Sequence, residues 1–227
     1  MATIRKSKPA PGRPSLPVDQ ILATALQIID EEGTEALSMR NLADRLESGT
    51  ATLYRHFQNR ADLITQLIDR MLGEIDFNIE NLKTISWQEA YRILAVNFFK
   101  VLTKHHRVAP LLAEHLPIGP NAMAQREICI SVLLSHGFPP KMAAHAYATL
   151  GRFVLGFALQ LSSTENLSDQ NKKQIEVFFR RLDPKRFPSI AKVAQSLPIP
   201  LQDEFDFGLN LILSGLNQLR EEKDKRA

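Results

Sequence analysis

The chain has 227 residues, of which 44% are hydrophobic and 23% are charged, and its formal net charge is +3 at pH 7. This composition excludes an intrinsically disordered protein and predicts one or two globular domains with a substantial core. No apolar run approaches the roughly 18 residues of a membrane span and no signal-peptide core is present, so we expect a cytoplasmic protein.

Residues 1–16 are predicted to form a disordered basic arm. They contain Arg5, Lys6, Lys8 and Arg13 with three prolines and no acidic residue. Proline interrupts regular helices, and this segment has little to bury. Two interpretations remain open: a tail that aids solubility, or an arm that reaches phosphates or the minor groove of DNA.

A DNA-binding domain is predicted over residues 17–72. Its first helix runs from about Pro17 to Glu32, because apolar residues recur there at helical spacing and Gly33 follows. The sequence from Ser38 to Phe57 then predicts two short helices with a tight break at Glu47-Ser48-Gly49.

The second of these short helices should begin with Thr50, whose hydroxyl is expected to cap it. Leu53 and Phe57, four residues apart, should face the core. This arrangement is typical of a helix-turn-helix, whose second helix enters the major groove of DNA. A further helix from about Arg60 to Phe77 should connect the domain to the rest of the chain.

The second domain is predicted over residues 73–227 and is entirely helical, so the fold class is all-α. Helical periodicity, glycine and proline predict six helices there. They run at about 87–102, 111–115, 121–136, 140–162, 168–182 and 205–219. The segment from Asp183 to Pro200 holds four prolines and is expected to be mostly loop. The seams of the long helices are typical of bundles.

Binding to DNA requires cations and hydroxyls at phosphates and a few side chains at base edges. Arg55 is the preferred candidate for reading guanine, with Thr50 and His56 as further candidates for base contacts. Thr52 and Tyr54 offer hydroxyls, and Arg60 a cation, to the phosphate backbone. Arg40 could bind either the backbone or the edge of a guanine.

The segments LADRL (42–46) and TATLYRHFQNRADL (50–63) resemble the DNA-binding region of the tetracycline-repressor (TetR-like) family of bacterial regulators. The resemblance implies operator contacts at Arg40, Thr50, Ala51, Thr52, Tyr54, Arg55, His56 and Arg60. Glu47 stands where the family usually has glycine. Thr50, Ala51 and Arg55 differ from the tetracycline repressor's own residues, so the operator sequence does not carry over.

The downstream half resembles the C-terminal domain of the same class in SWQEA (86–90), HR (106–107), HGF (136–138) and GRFVLGFALQ (151–160). This resemblance implies a small-molecule site inside each subunit and a homodimer formed through the last helices. The implied dimer contacts are Tyr147, Val154, Phe157, Leu209, Ile212 and Leu216.

The metal-chelated drug site of the tetracycline repressor does not carry over. Its magnesium-ligating histidine and magnesium-linked glutamate correspond to Ala113 and Gln160, and its drug-contacting histidine and asparagine to Asp76 and Leu94. We therefore expect no metal or cofactor, and a largely hydrophobic effector held by one or two hydrogen bonds. The predicted ligand contacts, for which core packing is the alternative role, are Phe98, Leu116, Met123, Phe153 and Gln160.

The six histidines raise the alternative of a helical-bundle enzyme or metalloprotein, but no pair has the helical spacing of a zinc protease. Partly buried or capping histidines, or one that binds a ligand, are the interpretations that remain. The single cysteine, Cys129, should be a buried, unreactive thiol.

These features together predict a non-enzymatic, homodimeric transcriptional regulator. We expect a repressor that binds a palindromic operator and is released by a small effector. A dimeric interaction protein that no longer reads DNA is the other alternative.

Overall fold

A computed structural model describes residues 16–76, 82, 84–164 and 169–224, so all of the predicted basic arm except Leu16 lies outside the described residues. Every regular element within the described ranges is helical, which confirms the all-α prediction. The chain divides into two compact units, Met1–Leu67 and Ile68–Ala227. The predicted domain limits, 17–72 and 73–227, place the division slightly later and stay predictions.

The first unit, which we call the head, contains three helices and the beginning of a fourth. They are α1 (Val18–Glu32), α2 (Met39–Arg45), α3 (Thr50–Leu53) and α4 (Arg60–Leu72), with a 3-10 turn at Thr34–Ala36. Their inward faces form a core in which Ile21, Leu42, Leu53, Phe57 and Leu63 are almost completely buried. This core fixes the positions of the short helices α2 and α3, which are too short to be stable in isolation.

Within the described residues, the second unit, which we call the body, contains the end of α4 and seven further helices with defined bounds. These are α5 (Trp87–Lys104), α6 (Ala109–Glu114), α7 (Pro120–Ser135), α8 (Pro140–Thr164), α9 (Asp169–Arg180), α10 (Pro188–Val193) and α11 (Leu201–Asp224). Helix α8 is central, because it packs against α5, α6, α7 and α11. Phe205 of α11 is fully buried and stacks on Phe99 of α5, with ring centroids 4.4 Å apart.

Three details of the predicted helices are wrong. Gly49, not Thr50, is the N-cap of α3, and no side chain caps this helix. Helix α4 ends at Leu72 and not at Phe77, because the amide of Gly73 bonds back to Asp69 and Arg70 and closes the last turn. The segment from Asp183 to Pro200 is not mostly loop, since Pro188 occupies the first turn of α10, where proline is well tolerated.

One helix in the described part of the chain, Pro140–Gln160 within α8, is long and apolar enough to cross a membrane by length and composition alone. The sequence predicts no such helix. Its charged residues, Lys141 and Arg152, interrupt every continuous apolar run but leave the average hydropathy high. Of its most apolar window, 28% is buried within the subunit, and the helix packs against four others of the body.

Candidate DNA-reading surface and ligand cavity

The predicted DNA contacts lie on the outer surface of the head. Arg40, Thr50, Ala51, Tyr54, Arg55 and Arg60 are exposed, and Thr52 and His56 are half-buried. Leu53 and Phe57 point into the core from the same short stretch of chain. Helix α3 therefore presents a polar face outwards over an apolar anchor, as a recognition helix requires. The individual DNA contacts stay predictions.

The four arginines around the helix-turn-helix differ in what they bind. Arg45 pairs with Glu31, at 2.8 Å, and with Glu32 at the end of α1. Hydrogen bonds from Gln27 and Arg45 lower the pKa of Glu31. The exposed residue Arg60 donates to the carbonyl oxygens of Leu37 and Thr34, at 2.8 and 3.0 Å. Arg45 and Arg60 thus brace the head.

Arg40 and Arg55 are not used in this way. Their guanidinium groups make no hydrogen bond or ion pair with any residue that the structure describes. Both are exposed, so all five N–H donors of each group are available to a phosphate or to the edge of a guanine.

The break between α2 and α3 has an unusual backbone conformation at Glu47. Its φ is 47°, in the left-handed region, and it is the one described non-glycine residue with a positive φ. The amide of Glu47 bonds to the carbonyl of Asp44, and the amide of Ser48 bonds to that of Ala43. These two bonds form a Schellman ending, whose left-handed position usually carries glycine.

The body contains a partly open cavity of about 540 Å³. This volume is typical of a site for a drug-sized molecule. Apolar side chains from several helices line it, among them Leu94, Phe98, Leu112, Leu116 and Val154. Of the five predicted ligand contacts, the structure therefore brings Phe98 and Leu116 to this cavity.

The other three predicted ligand contacts lie away from the cavity lining. Met123 is partly exposed on α7, and Gln160 is exposed near the end of α8. Phe153 stacks on Phe205 and covers Gly208, where an added Cβ would approach its ring to 2.8 Å. The ligand contacts themselves stay predictions for all five residues.

Part of the polar cavity lining comes from α5, α7 and α8. Arg126 of α7 donates from Nε to the hydroxyl of Tyr147 of α8, at 3.0 Å. The hydroxyl of Tyr91 donates to the carbonyl of Cys129, at 2.6 Å, and burial raises its pKa. Burial also raises the pKa of the Cys129 thiol to about 12, so at neutral pH the thiol is protonated and a poor nucleophile.

Helix α7 begins without a capping side chain of its own. Asp69, near the end of α4 and buried, accepts hydrogen bonds from the amides of Asn121 and Ala122, at 3.3 and 2.9 Å. The side-chain amide of Asn121 also donates to Asp69, at 3.1 Å. Gly119 leaves space for this carboxylate, since an added Cβ would lie 2.2 Å from Cγ of Asp69. We call this contact the α4–α7 cap.

The predicted dimer residues are distributed over three environments. Val154, Phe157 and Leu209 are buried within the subunit, and Ile212 and Leu216 are half-buried. Tyr147 is half-buried and lines the cavity. Their role in dimerisation stays a prediction.

His105 and His136 have structural partners within the body. His105 is buried, with Nε2 3.0 Å from Oε2 of Glu74, and Lys104 pairs with the same oxygen at 2.6 Å. Burial raises the pKa of Glu74, but hydrogen bonds from Lys104 and His105 outweigh it and leave the pKa below its usual value. His136 ends α7 with Nδ1 2.7 Å from the carbonyl oxygen of Val132. Among the described residues, no group of three metal-ligating side chains is placed to hold an ion.

The sequence matches two family models, one within the head and one within the body. Residues 21–67 match the model of bacterial regulatory proteins of the TetR family. Residues 81–220 match the model of the tetracycline-repressor-like C-terminal domain. The chain belongs to the TetR family. It is therefore a DNA-binding transcriptional regulator with an N-terminal helix-turn-helix and a helical C-terminal domain.

Relatives within the TetR family extend along nearly the whole chain. The transcriptional repressor DrrR1 of Streptomyces coeruleorubidus is 28% identical over 93% of this chain and 82% of its own. The class E tetracycline repressor of Escherichia coli is 28% identical over 92% of this chain and 94% of its own. The crystal structure of ActR from Streptomyces coelicolor in complex with (S)-DNPA superposes with a TM-score of 0.80 and 30% identity, covering 91% of this chain and 99% of ActR.

Sequence reasoning missed Arg126 and Tyr91 as cavity residues and Asp69 as a cap. A signal for Arg126 was present, because Ala122, Arg126, Cys129 and Leu133 form one helical stripe of α7 that is otherwise apolar. No comparable signal existed for Asp69. Its partners lie 52 and 53 residues away in the sequence.

Proposed function

We propose that this TetR-family protein is a cytoplasmic repressor that binds a palindromic operator as a homodimer and releases it when a small molecule fills the body cavity. It acts by binding and not by catalysis. The observation that carries the proposal is the pairing of two features in one chain. The head exposes unpaired arginines on a helix-turn-helix, and the body contains a partly open cavity of about 540 Å³.

The exposed apolar surface of α11 supports the homodimer. Phe207 and Leu211 are 67% and 58% exposed, and Leu219 is 58% exposed. With Gly215, they recur every fourth residue and form one stripe of the helix. An added Cβ on Gly215 meets nothing within 4 Å, so another backbone has room to approach there. Burial of such a stripe against a second copy is typical of homodimer interfaces.

A substitution in this stripe tests the dimer. Leu211→Glu places a charge in the proposed interface and should give a particle near the subunit mass of 25.6 kDa by light scattering, whereas the unmodified protein should give twice that mass. Val193→Glu, at an exposed apolar residue of α10, should remain dimeric. A dimeric Leu211→Glu variant would contradict this interface.

The cavity supports release by an effector. Related structures of ActR contain (S)-DNPA or actinorhodin, which are ligands of that protein. A ligand shifts operator affinity only by binding one conformation of the protein more tightly than another. The α4–α7 cap is our candidate for the element that responds, because α7 lines the cavity and α4 continues from the body into the head.

Selection from random DNA with the purified full-length protein tests the main proposal. We expect an enriched palindrome whose half-sites lie about one helical turn, roughly 34–36 Å, apart. Binding should weaken steeply with salt, since arginines at phosphates displace counterions. Enrichment of no sequence, or equal affinity for selected and random DNA, would favour a protein that no longer reads DNA.

A further inference from the structure

The cavity in the body has an uncompensated cation in its wall. Arg126 lines it, and its guanidinium forms no ion pair with any carboxylate that the structure describes. Its contacts are the hydroxyl of Tyr147 at Nε, the carbonyl of Pro117 at 3.4 Å and the sulfur of Met123 at 3.8 Å. The last two are long, so the Nη1 and Nη2 edge keeps most of its capacity to donate.

Tyr147 adds a second donor beside this edge. Its hydroxyl accepts from Arg126, and no described acceptor takes its own proton. Tyr147 also lines the cavity, and Cζ of Arg126 lies 5.8 Å from the centroid of its ring. A guanidinium edge and a phenol hydroxyl therefore lie side by side on two residues of the cavity lining.

The charges around the cavity favour an anion. Arg126 and Arg152 line it together with one carboxylate, that of the exposed residue Glu114, and with His115. A cation against an apolar wall is unfavourable without a partner, and a planar guanidinium pairs most strongly with a carboxylate that it can hold with two hydrogen bonds.

We propose that the effector is a hydrophobic organic acid, whose carboxylate is held by the Nη1 and Nη2 atoms of Arg126 and the hydroxyl of Tyr147. Its apolar body fills the space between Leu94, Phe98, Leu112 and Val154. This inference rests on the proposed ligand-responsive function and specifies the class of effector. Such an effector differs from a metal-chelated drug, because the partner of its charge is the Arg126 side chain of α7 and not a metal ion.

Matched acid and amide probes test this assignment. Fused-ring aromatic acids, such as 2-naphthylacetic acid, and their carboxamides have nearly the same shape but differ in charge. Calorimetry on the free full-length protein should show that the acids bind about tenfold or more tightly than the amides. If no acid binds better than its amide, including the case in which neither binds, the proposal is overturned.

Substitutions identify the side chain that causes the preference for acids over amides. Arg126→Gln should reduce it to about threefold or less while amide affinity stays within about twofold, since only the charged contact is lost. Arg152→Gln, the matched control at the other cavity arginine, should retain most of the preference, because Arg152 is exposed and water and salt screen its charge. Tyr147→Phe should lower acid affinity by about threefold, as one hydrogen bond to a charged group is removed.

Two outcomes of the substitutions would overturn the assignment to Arg126. One is a preference for acids that survives Arg126→Gln, and the other is an equal loss in Arg152→Gln. Should Arg126→Gln fail to fold, Arg126→Lys keeps the charge but not the planar fork. It should lower the preference by about threefold, and an unchanged preference would also overturn the assignment.

The result is separable from the proposed function. The acid preference is measured without DNA, whereas operator binding is measured on the same preparations by gel shift. Loss of operator binding with an intact acid preference would count against the repressor, and the reverse would count against the acid effector.

Discussion

Unpaired arginines occur in both units of this protein, but they face different surroundings. In the head, Arg40 and Arg55 extend into solvent from a surface with its own apolar core beneath it. In the body, Arg126 lines a partly open cavity between helices and is half-buried. An exposed cation suits a long polyanion such as DNA. Its attraction to the phosphates adds to the binding affinity and weakens as the salt concentration rises. A partly desolvated cation suits a small anion, because the low dielectric strengthens a single contact.

The two units also differ in what holds them together. The head is braced by local contacts, such as Arg45 with Glu31, and by a small core around Phe57. The body depends on contacts between distant helices, such as the α4–α7 cap and the stacking of Phe205 on Phe99. We therefore expect a substitution in the head to impair operator binding and spare ligand binding, and a substitution in the body to do the reverse.

The largest effect should come from the two cores. Phe57→Ala removes a side chain that is 1% exposed and should lower the free energy of unfolding of the head by about 3–5 kcal/mol. Operator binding should be lost while ligand binding persists. Phe205→Ala should destabilise the body by a similar amount. Differential scanning calorimetry checks this, and one shared transition that shifts equally in both variants would contradict two separate cores.

The α4–α7 cap should come next. Asp69→Ala leaves the amides of Asn121 and Ala122 without their acceptor and should lower the free energy of unfolding of the body by about 2–3 kcal/mol. Asp76→Ala, at an exposed aspartate four residues beyond the end of α4, is the control. It should change the free energy of unfolding of the body by less than about 0.5 kcal/mol. Urea unfolding gives both values, and equal effects would remove the special role of Asp69.

The third test concerns DNA reading alone. Arg55→Ala should weaken operator binding by about ten- to hundredfold, the usual cost of one base contact of about 1–3 kcal/mol, without changing ligand affinity. Lys192→Ala removes the same charge from the body and should leave operator binding nearly unchanged. Gel shifts at several salt concentrations distinguish the two variants. Similar losses in both would indicate a general charge effect.

The smallest effect should be a stabilisation. Glu47→Gly relieves a left-handed conformation that side chains disfavour, and it should raise the free energy of unfolding of the head by about 0.5–1 kcal/mol. Ser48→Gly, at the next residue, where φ is not positive, should be neutral or destabilising. Chemical unfolding measures both changes. A less stable Glu47→Gly variant would show that the glutamate side chain contributes more than its backbone costs.

The sequence by itself determined the helical class, the helix-turn-helix and the TetR family. These features depend on local patterns: apolar residues at helical spacing, a break near Gly49 and the motif that ends in Phe57. Each is encoded within one or two turns of chain, where helix propensity and core-facing periodicity act directly. The family resemblance marked Glu47 as a position where glycine is usual, and the positive φ lies there, whereas Gly49 has a φ of -88°.

Only the tertiary structure decided which charged side chains are available. Arg45 and Arg60 have the same formal charge as Arg40 and Arg55, yet the first two bind groups that packing brings near them. Tyr147 lies on the apolar face of its helix and is predicted to contact a helix of the partner subunit. In the structure its hydroxyl lies beside Arg126 at the cavity. Asp69 meets α7 across 52 residues of chain. Such contacts depend on how helices pack, which a local pattern does not encode.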